Sequence, residues 1–287
     1  MTLEVMEIHH ASAYACPMTI HANHFGEHLK NWRQRRRMSQ LALACEAEIS
    51  TRHLSFVETG RSLPSRDMVL HLAERLQIPA RERNVLLLAA GYAPIFPERP
   101  LSDPALAAAR QAVDLVLQAQ LPYPAFALDR HWNVVASNRA LPELYAGVSV
   151  ELLEEPVNAM RLSLHPKGVA PRVANLTEWR AHALLRLRQQ IDLTADPVLI
   201  DLLAELSSYP THGDTSAARP VGNPHTIVIP FQVVTEAGLL SFFTTTAVFG
   251  TPIDVTLSEL AIESFFPADA ATAETVARLT ARRKSLQ

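Results

Sequence analysis

Apolar residues near the N-terminus recur at helical spacing. Phe25, Leu29 and Trp32 stand at positions i, i+4 and i+7, which places them on one face of a helix. The basic residues that follow along this helix, with no acid among them, are Lys30, Arg33, Arg35, Arg36 and Arg37. The pattern predicts an amphipathic helix that buries one face and ends in a strongly basic turn.

A short second helix is predicted to follow this basic turn. Ser39 can cap it by accepting a hydrogen bond from a free backbone N–H, and Leu41 and Ala44 would supply its inner face. Residues 46–49 then form a turn.

A third helix is predicted to begin after Ser50, which caps it. Leu54 and Val57 would face the core. The residues that would then point away from the core are Thr51, Arg52, His53 and Phe56. These are the positions at which a recognition helix meets base edges in the major groove, so the three helices together predict a helix-turn-helix that binds double-stranded DNA.

This run resembles the lambda-repressor-like helix-turn-helix of the Xre family. The residues that carry the resemblance, without gaps, are Arg33, Ser39-Gln40, Ser50, Leu54, Glu58-Thr59-Gly60 and Pro64-Ser65. The resemblance implies an internal ion pair between Arg33 and Glu58. One departure from the family's pattern is Glu48, which stands where the turn usually has glycine, so a non-glycine residue is expected to adopt a positive φ there. It also implies DNA contacts, and the full set of DNA-binding residues that we predict is Gln40, Ser50, Thr51, Arg52, His53 and Phe56. Phe56 has two interpretations: it contacts a thymine methyl group, or it packs against its own domain and leaves base reading to Thr51 and Arg52.

The periodic pattern continues to about residue 90. Ser65 can cap a fourth helix, residues 81–90 predict a fifth, and Gly91 can end it. Prolines at 94, 97 and 100 then predict a stiff linker. The predicted organisation is a flexible tail at 1–22, a DNA-binding domain at 23–93, a linker at 94–102 and a second domain at 103–287.

The second domain alternates helical and strand-like patterns. Helices are predicted at residues 103–120, 138–145, 156–164, 176–191, from 196 to about 206, and 270–282; strands are predicted at 125–129, 132–137, 225–235, 239–249 and 260–265. Residues 207–224, rich in Pro, Gly, Ser and Thr, predict a loop. The whole chain is therefore expected to be α+β, with an all-α domain followed by an antiparallel sheet surrounded by helices.

The second domain resembles the MmyB-like ligand-binding domain. The residues that carry the resemblance are YPAFALDRHWNVVASN at 123–138, the helix stop at residues 164–166, and the segment from Ser241 to Asp269. The resemblance implies a PAS-like fold and a fatty-acid-type ligand. Composition by itself indicates only an apolar domain.

An apolar pocket is predicted between the sheet and its helices. The ligand-binding residues that we predict are Phe126, Trp132, Met160, His165, Trp179, Phe231, Phe243 and Phe249. Core packing is the alternative for the aromatic residues, and a helix stop or a core hydrogen bond is the alternative for His165. Candidates to meet an acid head group are Arg172, Arg186 and Arg188, although each could equally be a surface residue.

Charge and composition narrow the functional classes. The net charge of −3 hides an asymmetry: residues 25–99 carry 12 Lys+Arg against 8 Asp+Glu, and the rest carries 14 against 21. A locally basic first domain suits a phosphate partner. The two cysteines suggest no disulfide framework, and neither a membrane helix nor a signal peptide is expected, so we expect a cytoplasmic protein with no membrane partner. His24 and His28 share a helix face at metal-ligand spacing, but tail histidines are usually solvated, so we predict no metal and no cofactor.

Three functions remain open. The first is a homodimeric transcription regulator whose second domain senses a fatty-acid-like small molecule. The second is a regulator whose second domain only dimerises or recruits a protein partner. The third is an enzyme with a DNA-binding appendage, marked by a polar cluster of perturbed pKa inside a cavity. Because the chain carries none of the common catalytic motifs, we predict no enzymatic activity.

Overall fold

The computed structural model describes residues 17–210, 229–250 and 254–284. The chain divides into two compact units, Met1–Ile95 and Phe96–Gln287. Within the described ranges, no helix is long and apolar enough to cross a membrane.

The first unit is all helical over its described residues. Its helices are α1 (Pro17–Arg35), α2 (Gln40–Glu46), α3 (Thr51–Glu58), α4 (Arg66–Arg75) and α5 (Ala80–Ala89). The predicted serine caps are confirmed: the Ser39 hydroxyl accepts from the N–H of Ala42 at 3.0 Å, the Ser50 hydroxyl accepts from the N–H of His53 at 3.1 Å, and Ser65 caps α4 in the same way. These caps fix where α2, α3 and α4 begin.

The core of the first unit lies where α1 crosses α3. Phe25, Leu29 and Leu54 are fully buried there. Helix α1 carries Gly26 at the crossing, and a Cβ built on Gly26 would collide with the backbone carbonyl oxygens of Val57 and Glu58. The absence of a side chain at this position therefore lets the two backbones approach closely.

Two expectations for the first unit are wrong. Helix α1 begins at Pro17, inside the segment that was expected to be a tail. Leu41 is 62% exposed instead of forming the inner face of α2. The buried face of α2 consists of Leu43, Ala44 and Ala47, and at 100° per residue Leu41 lies roughly 110° from the centre of that face. The expected strain at Glu48 is confirmed, since its φ is 54°.

The second unit combines helices with a five-stranded sheet. Its elements are α6 (Ala107–Ala119), β1 (Ala125–Leu128), β2 (Val134–Ser137), α7 (Ala159–Leu164), α8 (Leu176–Thr194), α9 (Pro197–Ser208), β3 (Phe231–Thr235), β4 (Gly238–Val248), α10 (Val255–Ser258), β5 (Ala261–Pro267) and α11 (Ala270–Lys284). The strand order is β2-β1-β5-β4-β3, with every neighbouring pair antiparallel. The predicted α+β architecture, with an all-α first domain and an antiparallel sheet accompanied by helices in the second, is confirmed.

The two faces of the sheet pack against different helices. On the inner face, Phe126, Phe242 and Phe265 join a core with residues of α7, α8 and α9. On the outer face, α6 packs Val113 and Leu117 onto small and aliphatic residues of β1 and β5. Because side chains alternate along a strand, neighbouring residues of β1 and β4 belong to different faces.

Several elements differ in length from the predictions. The helix expected at 138–145 is a 3-10 turn at Leu141–Tyr145, and α7 begins at Ala159 because Asn158 caps it by accepting from the N–H of Arg161. The first C-terminal strand begins at Phe231. Residues 211–228, which include most of the predicted loop and the start of that predicted strand, lie outside the described residues.

Candidate DNA-binding face and ligand cavities

Helix α3 presents polar side chains to solvent. Thr51 and Arg52 are exposed, and His53 and Phe56 are half-buried, while Leu54 and Val57 on the opposite side are fully buried. Ser50 is also exposed, but its hydroxyl oxygen accepts the capping hydrogen bond. Thr51, Arg52, His53 and Phe56 thus lie away from the buried face of α3.

A buried ion pair ties α1 to the end of α3. Arg33 Nε and Nη2 donate to the two carboxylate oxygens of Glu58 at 2.6 and 2.9 Å, and the residues are only 8% and 7% exposed. The hydrogen bond to Glu58 raises the pKa of Arg33. Gln40 Nε2 also donates to Glu58 at 2.7 Å, so the first residue of α2 joins the same network. The predicted internal pair is confirmed, and Gln40 has an additional role that the sequence did not indicate.

The N-terminal histidines form no metal site among the residues described. His24 and His28 are both exposed, and the described part of the chain holds no group of three His, Cys, Asp or Glu side chains that could bind a metal ion. His9, His10 and Cys16 lie outside the described residues.

An aromatic cavity lies between the inner face of the sheet and α7 and α8. Its volume is about 50 Å³. Five of the eight predicted ligand-binding residues line it: Phe126, Trp132, Met160, Trp179 and Phe231. The sequence therefore identified residues that surround this cavity. The cavity admits only a few water molecules, and its volume is well below the roughly 300 to 1,000 Å³ of ordinary ligand pockets.

Trp132 enters this cavity from a strained turn between β1 and β2. Its φ is 68°, a left-handed conformation that is uncommon for a bulky residue. The Asp129 carboxylate stabilises the turn by accepting from the backbone N–H groups of His131 and Asn133 at 2.8 and 2.9 Å. The indole Nε1 of Trp132 donates to Gln190 of α8 at 2.6 Å, which orients the ring.

The other three predicted ligand residues do not line the aromatic cavity. Phe243 lies on the opposite face of β4 from Phe242 and stacks on Phe266, with ring centroids 5.3 Å apart. Phe249 packs with α6 on the outer face of the sheet. His165 follows the last residue of α7, where its ring packs edge-on against Tyr209 and its Nδ1 accepts from the N–H of Lys167. Strand alternation explains why Phe243 lies on the face away from the cavity, and the helix-stop interpretation of His165 describes its position.

A polar cluster closes one end of the aromatic cavity. Arg186 of α8 lies over the Trp132 ring at 4.8 Å, and its Nη2 lies 2.6 Å from Oε1 of Glu263 on β5. That contact is not aligned as a hydrogen bond, and Oε1 of Glu263 accepts none from the described residues. Burial raises the pKa of Tyr145, and the charge of Glu263 raises it further; burial lowers the pKa of His182, and the charge of Arg186 lowers it further. Tyr145 and His182 are therefore neutral at pH 7.

A larger apolar cleft lies elsewhere in the second unit. Its volume is about 740 Å³, within the range of about 300 to 1,000 Å³ for ligand pockets. The apolar side chains lining it include Leu144, Leu240, Phe242, Val276 and Leu279. Sequence reasoning missed this cleft because its walls include turns at residues 122–124, 146–147 and 235–237, which have no periodic pattern.

Among the residues that the structure describes, Arg172 is the one arginine that lines the cleft. Its Nη2 donates to the backbone carbonyl of Leu144 at 2.6 Å, and among the described residues it pairs with no carboxylate. Burial lowers the pKa of Arg172. Glu236 also lines the cleft but is exposed and forms no ion pair with Arg172. The cleft therefore combines apolar walls with a partly desolvated cation.

Known families match both units. The model of the MmyB-like transcription regulator ligand binding domain matches residues 109–279, more than half of the 287 residues. The chain belongs to this family. A model of a helix-turn-helix domain matches residues 24–86, which span α2 and α3. This MmyB-like regulator therefore carries a DNA-binding helix-turn-helix in its first unit and a ligand-binding domain in its second, and the matched ligand-binding range contains both cavities.

Solved structures add little to this assignment. Three chains match the MmyB-like regulator, and one of them is described as an RNA-binding light-oxygen-voltage receptor. It is 11% identical, and the match covers 90% of the regulator and 64% of the receptor chain, less than two thirds, at a TM-score of 0.24. A TM-score this low supports no inference about fold or function. No curated protein matches the chain.

Proposed function

We propose that the chain is a cytoplasmic, homodimeric transcription regulator that reads operator DNA with α3 and whose second unit binds a fatty-acid-type ligand. The observation that carries this proposal is the pairing, in one chain, of an exposed helix-turn-helix face with an apolar cleft whose Arg172 has no carboxylate partner among the described residues. A ligand can regulate such a protein only if it binds the DNA-competent and DNA-incompetent states with different affinity.

The DNA-binding part of the proposal assigns base reading mainly to Arg52. Its planar guanidinium matches the O6 and N7 edge of guanine, and its exposure on α3 supports this role. Thr51 and His53 are neighbouring contacts. Gln40 and Ser50 also contact DNA in this proposal, through the hydrogen-bonding capacity that their internal bonds leave free.

The homodimer would read a pseudo-palindromic site. Two copies of α3 entering successive major grooves require half-site centres about 10 bp apart. This spacing is a consequence of the helical repeat of DNA and does not depend on the operator sequence.

The ligand part of the proposal places the acyl chain in the 740 Å³ cleft. This differs from the pocket expected from the sequence, because the aromatic cavity has a volume of only about 50 Å³. Each buried CH₂ group contributes about 0.8 kcal/mol, so affinity should rise with chain length. The Arg172 guanidinium has further N–H donors beside the one that Leu144 accepts, and these would bind the carboxylate of the fatty acid.

Two experiments on the full chain test the proposal. Selection from a random duplex library should enrich pseudo-palindromic sites, and enrichment of no sequence would contradict DNA reading. Native mass spectrometry of the purified protein, alone and with added saturated fatty acids, should detect one bound acid per chain. If the protein binds DNA as a dimer but binds no acid, the second unit serves dimerisation or partner recruitment instead.

A further inference from the structure

Two arginines lie against the ring of Phe56. The guanidinium carbon of Arg52 is 5.3 Å from the ring centroid, and that of Arg61 is 6.0 Å from it. Both arginines are exposed, while Phe56 is half-buried. These distances lie within the range of cation–π contacts, about 6 Å.

Local backbone geometry produces both contacts. Arg52 precedes Phe56 by four residues, so the two side chains are neighbours on the surface of α3. Arg61 reaches the ring because α3 ends in a Schellman motif. The N–H of Gly60 donates to the carbonyl oxygen of Val57 at 3.2 Å, and the N–H of Arg61 donates to the carbonyl oxygen of Phe56 at 2.8 Å.

The motif depends on a left-handed residue at its centre. Gly60 has a φ of 70°, which a glycine adopts without strain. The Schellman motif brings the residue after this glycine beside the third residue from the helix end, often as an apolar contact. Here those two residues are Arg61 and Phe56, and the contact is between a cation and an aromatic ring.

We propose that Phe56 is a positioning residue that orders Arg52 and Arg61, and that Arg61 is a further DNA contact, to a phosphate. This inference rests on the proposed DNA-binding function. Because two guanidinium groups already contact the ring, a thymine methyl group would have to compete with them for its surface. An ordered arginine also loses less conformational entropy when it binds DNA.

The test compares variants of Phe56 on a duplex selected by the wild-type chain and on a shuffled duplex. Phe56→Leu keeps apolar volume and removes the ring, so binding to the selected duplex should weaken roughly 5- to 150-fold, because two long side chains must then be ordered when DNA binds. Phe56→Tyr keeps the ring and should bind within roughly two-fold of wild type. Wild-type affinity in Phe56→Leu would overturn the positioning role.

Arg61 variants test the phosphate contact. Arg61→Ala should weaken binding to both duplexes equally and lower the slope of log affinity against log salt by about one. Arg75→Ala, which removes an exposed charge from the last turn of α4, is the matched control for lost charge. A loss confined to the selected duplex, or a slope that changes no more than in the control, would overturn the assignment.

Replacing thymine by deoxyuracil separates positioning from direct contact. If Phe56 acts through the arginines, the weakening caused by Phe56→Leu persists when any single thymine loses its methyl group. If Phe56 reads a thymine, that weakening disappears at one position, and the proposal is wrong.

A measurement on the free protein separates this inference from the proposed function. In NMR spectra, Phe56→Leu should remove ring-current shifts from the side-chain protons of Arg52 and Arg61, and unchanged shifts would overturn the positioning role. If the wild-type chain enriches no duplex at all, the proposed DNA-binding function fails and Arg61 is not a DNA contact, while the NMR result still decides whether Phe56 orders the arginines.

Discussion

Arg33 in the first unit and Arg172 in the second unit are partly or wholly withdrawn from solvent in different ways. Arg33 is 8% exposed and satisfied by both oxygens of Glu58. Arg172 is half-buried, donates to one backbone carbonyl, and has no carboxylate partner among the described residues. A buried cation is costly unless it is paired, so the first arrangement stabilises the fold, while the second leaves a site that an anion would improve.

The surroundings of the two arginines also differ: Arg33 lies in a network that links helices, and Arg172 lies at the wall of a cleft. Arg33 links α1 to α3 and shares Glu58 with Gln40 of α2, which holds the helices that present the DNA-binding face. Arg172 borders 740 Å³ of space. The first unit therefore uses its polar contacts to fix one geometry, whereas the second has an open cleft beside a cation with no carboxylate partner among the described residues.

The largest effect is expected from breaking the buried pair. Arg33→Met leaves Glu58 buried without its cation and should lower the unfolding free energy of the first unit by about 3 to 5 kcal/mol. Hydrogen exchange read by mass spectrometry, peptide by peptide, measures this separately for α1 to α5.

The second unit offers a matched control for this variant. Arg161 also binds a carboxylate, that of Glu205, with two nitrogens, but their side chains are 41% and 36% exposed. Arg161→Met should therefore cost at most about 1 kcal/mol. If Arg33→Met is as stable as the parent and only its DNA affinity drops, Arg33 is a phosphate contact instead.

Arg172 should govern recognition of the ligand's head group. Arg172→Met keeps an apolar chain and removes the charge, so fatty-acid affinity should fall about 10- to 100-fold, the value of a hydrogen bond to a charged group. The methyl ester of the same acid should bind equally well to both proteins. Glu236→Gln is the control for changed charge in the cleft. Equal losses for acid and ester would show that Arg172 acts only through the fold.

In the first unit, the corresponding test asks whether Arg52 reads a base. Arg52→Ala should cost about 1 to 3 kcal/mol on the selected duplex and little on random DNA, because the guanine contact is specific. Fluorescence anisotropy with both duplexes measures the difference. A loss of the same size on the two duplexes would make Arg52 a phosphate contact.

The smallest expected effect is a pH dependence from His182. Burial, and then the charge of Arg186, lower its pKa in the folded protein, so the unfolded chain binds the proton more tightly. Stability of the second unit should therefore fall as pH drops through the ordinary histidine value of 6.5 and below. His182→Gln should have a shallower pH dependence than the parent. Identical curves for the two proteins would show that His182 does not contribute.

The two units also differ in how far their sequences predict them. The serine caps follow from local chemistry and are correct, as are the positive φ at Glu48 and the buried Arg33–Glu58 pair, both implied by family resemblance. In the second unit the pattern located the strands but not every face, because Phe242 and Phe243 are both apolar and alternation cannot choose between them. The cleft is formed by non-periodic turns from distant parts of the chain, which only tertiary structure brings together.

The most direct test of ligand-controlled DNA binding measures DNA affinity while the fatty acid is varied. Wild-type protein is titrated with the selected duplex in the presence of saturated fatty acids of increasing chain length, with Arg172→Met in parallel. Wild-type DNA affinity should change progressively with chain length, and Arg172→Met should require much higher acid concentrations for the same change. DNA affinity that is indifferent to every acid, or that changes without regard to chain length, would contradict fatty-acid control of DNA binding.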